Sequence, residues 1–237
     1  MKKYFCPALF GIFIIFTIIG LNINVTTQQC IDHSCHAIRL PLYLKTLDFF
    51  DRHYNYKQLV KRIIKDAKNK DDTALKILEW TSANIRKSPE GFPVIDDHIW
   101  YTIVRGHAVD DQFQDIFTTL CNYAGLEASF CWLLPKDSSG RRPFSFVKLS
   151  RGWAVFDAYK GVYFKNKEGQ VANLEDFSNG NWKTAALADK AAVDDYTAYL
   201  SNISAISLQG HSLSRSSIQS PFRRFLFWLN SKSGFSH

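Results

Sequence analysis

The feature that most restricts the fold lies between Arg105 and Gly125. Phe113, Ile116, Phe117, Leu120 and Ala124 recur three and four residues apart, immediately behind the polar run Asp110-Asp111-Gln112. That period predicts a helix with one apolar face, and Gly125 closes it. Residues 127–134 then read as a strand rich in aromatic and branched side chains, with a polar turn over 135–142. Two further strands follow at 143–150 and 152–157, and a short one at 159–164 runs out at Asn166-Lys167-Glu168-Gly169. Strands so closely spaced imply an antiparallel sheet, against which the helix packs. The fold class is α+β.

Upstream, residues 43–70 carry Leu44, Leu47, Leu59, Ile63 and Ile64 at helical spacing, which predicts one or two helices. Thr73 reads as the N-cap of a helix to about residue 87, with Ala74, Ile77, Leu78 and Ile85 on one side and Ser88-Pro89-Glu90-Gly91 as its stop. A loop containing Asp96, Asp97 and His98 follows, read as a turn with a capping role rather than as a ligand set. With the ends set aside, about 160 residues remain, enough for one core. The chain is 46% hydrophobic and 22% charged, which is the composition of a globular protein.

The N-terminus has a different character. Lys2 and Lys3 precede an almost uninterrupted apolar run from Tyr4 to Leu21 with no polar face, so residues 1–24 are read as a signal peptide or membrane anchor. Leu21-Asn22-Ile23-Asn24-Val25 lacks a small-x-small cleavage pattern, which favours retention. The lysines predict a cytoplasmic N-terminus and hence an exported domain, periplasmic or extracellular. Residues 25–42 have no sustained period and read as a spacer, residues 43–200 as the folded domain, and residues 201–237 as a tail. Eleven of the tail's 37 residues are serine, and Pro221-Phe222-Arg223-Arg224-Phe225-Leu226-Phe227-Trp228-Leu229 suits a membrane interface or a docked terminal helix.

The net charge of +7 sits mostly at the two ends, leaving the domain nearly neutral. That argues against nucleic acid as a partner. Cys30 and Cys35 suit a disulfide in an oxidising compartment. With His33 and His36 they lack the paired spacing of a zinc site, so no metal and no cofactor is implied. Cys121 and Cys131 read as small core residues.

Three motifs stand in a telling order: Gly106-His107-Ala108-Val109-Asp110-Asp111-Gln112, then Phe144-Ser145-Phe146-Val147-Lys148-Leu149, then Gly152-Trp153-Ala154-Val155-Phe156-Asp157. Together, over roughly residues 74–177, they resemble the transglutaminase-like superfamily. Its members carry Cys-Asp-Asp-Gln opening the core helix, His-x-Trp-Val-Glu-Val on a strand, and Gly-x-Trp-x-x-x-Asp. The resemblance implies a papain/transglutaminase-like fold with N-terminal helices and a core helix on an antiparallel sheet. It also implies a thiolate nucleophile, a histidine base and an orienting aspartate. Carried over, these positions fall on Val109, Phe144 and Asp157.

A valine cannot attack a carbonyl and a phenylalanine cannot move a proton, so the resemblance implies a catalytically degenerate member. Ser145, next to Phe144 on an alternating strand, is expected to point away from the pocket. Cys121 lies twelve residues beyond Val109, about 18 Å along a helix, too far to substitute. The expected cleft residues are His107, Asp110, Asp111 and Trp153. Two functions are open. One is a non-catalytic module binding a peptide or polysaccharide of the cell envelope, or scaffolding its assembly, by analogy with exported bacterial transglutaminase-like proteins. The other is a cysteine-independent hydrolase or acyl transferase using His107 and a nearby aspartate.

Overall fold

The computed structural model describes residues 5–31, 34–92, 94–96, 98–133, 140–187, 196–200, 220, 225, 226 and 229. It divides into two compact units, Met1–Arg52 with Pro93–Asp97, and His53–Phe92 with His98–His237.

In the first unit, helix α1 (Phe5–Leu21) is apolar on every side and ends where Asn22 caps Ile18 O through its own side chain (2.8 Å). At 17 residues it is about 25 Å long. Among the described residues no helix is long and apolar enough to cross a membrane. Strands β1 (Asn24–Ile31) and β2 (Ser34–Pro41) form an antiparallel hairpin that sets Cys30 opposite Cys35. The stretch read as a spacer is therefore paired. Its strands carry threonine and glutamine at successive positions, so no apolar alternation betrayed them. His33 and Asp97, with the side chains of Cys30, Cys35 and His36, lie outside the described residues, as does most of the tail.

Helix α2 (Leu42–Ile63) is one continuous helix; its residues from His53 onward belong to the second unit, where Tyr56, Leu59 and Val60 are buried. Helix α3 (Lys70–Asn84) starts earlier than expected, because Asn69 is the cap and its Oδ1 accepts from Asp72 N at 2.8 Å. Thr73 lies inside the first turn and donates its hydroxyl to Asn69 O. The chain then leaves the helix as β3 (Arg86–Lys87). Strand β4 (Ile95–Asp96) pairs with β1 inside the first unit, so Asp96 is a strand residue.

Helix α4 (Ile99–Arg105), which the sequence did not announce, follows directly and is closed by Gly106 at φ 72°, a left-handed conformation suited to glycine. Strand β5 (His107–Ala108) pairs in parallel with β3, and Arg86 N donates to Gly106 O at 2.8 Å. That bridge positions the start of α5 (Asp110–Tyr123), the helix expected from the apolar stripe.

Strands β6 (Glu127–Leu133), β7 (Arg142–Leu149), β8 (Gly152–Asp157), β9 (Val162–Lys165) and, after helix α6 (Leu174–Ser178), β10 (Lys183–Ala186) make one antiparallel sheet in the order β10-β9-β8-β7-β6. One core holds Phe113, Phe117 and Leu120 of α5 with Val147 and Phe156 of the sheet. A second core holds Phe144, Phe146, Val155 and Phe164 with Phe177 of α6 and Tyr196 and Leu200 around α7 (Thr197–Leu200). Because strand side chains alternate, β7 supplies both cores from adjacent residues.

Candidate functional site

The site is built at the N-terminus of α5. Val109 is the N-cap residue but has no acceptor in its side chain; Gln112 reaches back instead, its Oε1 accepting from Val109 N at 3.3 Å. Asp110 and Asp111 in the first turn complement the helix dipole, and Asp110 Oδ1 accepts from Asp111 N. Asp110 and Gln114 are four residues apart and share a helix face. Both open into a cleft of about 190 Å³ whose other walls are Arg142 and Pro143 at the start of β7, Asp157 at the end of β8, and Tyr159 and Lys160 in the next turn.

A buried hydrogen-bond network underlies the cleft. Gln114 Oε1 accepts from Ser145 Oγ (2.6 Å) and from Ala158 N (3.2 Å). Its Nε2 donates to Asp157 Oδ1 (3.3 Å), which also accepts from Lys160 N (3.1 Å). The other carboxylate oxygen, Oδ2, accepts from the Tyr196 hydroxyl (3.0 Å). Asp157 is 5% exposed, and burial pushes its carboxyl above the ordinary range; the three donors and the Arg142 guanidinium oppose that shift without cancelling it. Around the rim, Lys87 Nζ stands 4.2 Å from the centre of the Tyr159 ring, and Tyr159 meets Phe113 edge to face.

Of the positions drawn from the sequence, Asp110 and Asp157 line this cleft. Phe144, expected at its edge, is fully buried on the other side of the sheet, with its ring 6.0 Å from Tyr196 and 5.8 Å from Tyr199. Strand parity is the reason. Ser145 points at α5 and bonds Gln114, the opposite of the expected arrangement, so Phe144 must turn away. Val109, His107 and Asp111 are half-buried and are not among the lining residues. Trp153 packs partly against the second core, with Lys148 Nζ 5.9 Å from its ring centre.

At this helix end the residue that lines the cleft is Asp110, and Val109 is the cap. Cys121 is buried within α5 and Cys131 lies on β6; burial raises the first thiol strongly and pushes the second up to about 11, so both are protonated at neutral pH. Among the described residues no three His, Cys, Asp or Glu side chains are grouped to hold a metal ion. Gln114, Arg142, Tyr159, Lys160 and Tyr196 were not evident as site residues from the sequence. The spacing of Asp110 and Gln114, four apart on a buried helix, was the available signal for one of them.

Residues 57–171 match the model of the transglutaminase-like superfamily, and this part of the chain is a domain of that superfamily, with its papain-like arrangement of helices and antiparallel sheet. Similar solved structures include a proposed protease from Parabacteroides distasonis (14% identity, 52% of this chain and 28% of the other, TM-score 0.38). A proposed cysteine protease from Cytophaga hutchinsonii (14%, 56% and 46%, TM-score 0.40) and a TGase (12%, 61% and 46%, TM-score 0.36) are also similar. The matches thus cover less than half the length of each of these proteins. No curated protein matches the chain.

Proposed function

We propose that this transglutaminase-like domain is a non-catalytic binding module, exported and tethered through its N-terminal helix, that holds a peptide or glycan segment of the cell envelope in the cleft at the start of α5. The observation that carries this reading is the lining itself. Asp110, Gln114, Arg142, Pro143, Asp157, Tyr159 and Lys160 include neither thiol nor imidazole. What they offer is two carboxylates, an amide, two cations and a phenol ring, groups that recognise amides and sugar hydroxyls.

The placement outside the cytoplasm is supported by Lys2 and Lys3 ahead of the apolar run, and the envelope ligand by analogy between families. The test is titration of the full chain in detergent with cell-wall peptides and oligosaccharides, followed by calorimetry. Saturable binding that falls at least about tenfold in Arg142→Ala, roughly the loss of one charge-assisted contact, supports the proposal. Turnover of amide, ester or glycoside substrates that vanishes with one cleft substitution overturns it.

A second reading rests on a specific observation: two carboxylates, Asp110 and Asp157, line one cleft, and burial raises the second. A pair in unlike environments is the arrangement that acid and base catalysis uses. Under this reading Asp157 donates a proton and Asp110 activates water, with His107 outside the chemistry. Asp110→Asn would then abolish turnover, whereas in a binding module it alters affinity alone.

A further inference from the structure

The first unit carries an apolar surface that its own residues do not cover. On α2, Tyr43, Leu47 and Phe50 lie at the spacing of one helix face and are 36%, 62% and 54% exposed, with Leu44 beside them at 44%. Among the polar residues of these turns Lys45, Thr46 and Asp48 are half-buried, Asp48 pairing with the buried Arg52, while Asp51 is exposed. This is the reverse of a helix whose outer face meets water.

The surface joins α1 directly. Leu42 N donates to Ile23 O at 2.9 Å, so the start of α2 is tied to the second residue beyond the end of α1, and Ile23 is 57% exposed. Over its described residues helix α1 is about 25 Å long, against a hydrocarbon core of about 30 Å. Residues that flank an apolar helix of this length sit at the bilayer boundary. The flanking residues here are Ile23, Leu42, Tyr43 and Leu44. Lys45 Nζ reaches Thr26 O (3.4 Å), which keeps one cation beside this surface, and Arg39, opposite Thr26 on the hairpin, is exposed.

Resting on the tethered reading above, we infer that the first turns of α2 are a second membrane contact: Tyr43, Leu44, Leu47 and Phe50 lie in the interface of an anionic lipid bilayer. The hairpin brings α2 back to the end of α1, and the bilayer covers the stripe. The chain therefore meets lipid at two non-contiguous segments.

The test places a photoreactive benzoylphenylalanine singly at Phe13, Leu47, Phe50 or Glu79 of the full chain, leaving its cysteines untouched, since Phe13, Leu47 and Phe50 are already solvent-facing. Each variant is reconstituted in vesicles of phosphatidylcholine and phosphatidylglycerol, irradiated, and weighed for lipid adducts. Adducts at Phe13, Leu47 and Phe50 about tenfold above those at Glu79 are expected for an interface that buries the stripe. Adducts at Phe13 alone overturn the inference while leaving the tether intact. Absence at Phe13 removes both. Crosslinks from Leu47 or Phe50 to a second copy of the chain, in place of lipid, assign the stripe to an interface between copies and also overturn it.

Discussion

Gln114 Nε2 and Asp157 Oδ1 meet at 3.3 Å beneath the cleft, joining the buried face of α5 to the end of β8. The same glutamine accepts from Ser145 and from the backbone of Ala158, so one side chain ties the helix to two strands. Three buried polar groups depend on it.

Gln114→Leu keeps the volume and removes every one of those bonds. Leaving a buried N–H and a buried hydroxyl unpaired costs about 1–3 kcal/mol each, so a loss of about 2–6 kcal/mol is expected on denaturant unfolding. A loss under about 1 kcal/mol would mean that water or another side chain replaces the amide.

Asp157 makes stability depend on pH with a definite sign. Its folded value is raised by burial, so the folded state holds the proton more tightly than the unfolded chain. The stabilisation is complete below the ordinary carboxylate value and is lost as pH rises through the raised one. The melting temperature of the wild type relative to Asp157→Asn should therefore fall as pH increases from the ordinary carboxylate range upward. A difference that grows with pH would show instead that the ionised form is the favoured one.

Asp110 heads α5 and lines the cleft, whereas Val109 is its cap. A cysteine at 110 is expected to titrate below the usual value of about 8.5 and to react with iodoacetamide at neutral pH, because helix amides favour the thiolate. Cysteine at 109 should react more slowly. Equal rates at the two positions would place both side chains in the cleft.

Phe144 belongs to an aromatic cluster, not to the cleft. Phe144→Ala should cost about 3–5 kcal/mol, the usual range for emptying a buried ring position. Val109→Cys combined with Phe144→His should give no acyl transfer, since position 144 faces the second core. Ester hydrolysis by that double variant would place the imidazole beside the thiol and reverse the assignment.

The core helix and the first strands were legible because their signals are local. Phe113, Ile116, Phe117 and Leu120 mark the buried face of α5, and Gly125 follows its last turn at φ 84°. The hairpin was not, since Val25 and the threonines and glutamines beyond it show no apolar alternation. Asn69 was missed as a cap in favour of Thr73, because both residue types suit the role and only the backbone decides. At the site, a motif fixes order but not strand parity. Shifting one residue along β7 exchanges Phe144 for Ser145 between cleft and core, and the strand there, with Phe144 and Phe146 on one face and Val147 and Leu149 on the other, carries apolar side chains on both. Tyr196 is 39 residues from Asp157, a separation at which no local rule operates.

The bridge between β3 and β5 carries a kinetic meaning. Helix α5 can form from its own residues, but the point at which the chain enters it is pinned by Arg86 N on Gly106 O and Ser88 N on Ala108 O, bonds that close a loop of some twenty residues. Such closure carries an entropy cost that local helix formation does not. Releasing those two amides frees the chain's entry into α5 without breaking a bond of the five-stranded sheet. Solvent exchange at Arg86 and Ser88 would then proceed through a sub-global opening, faster than at the amides of β7 and β8.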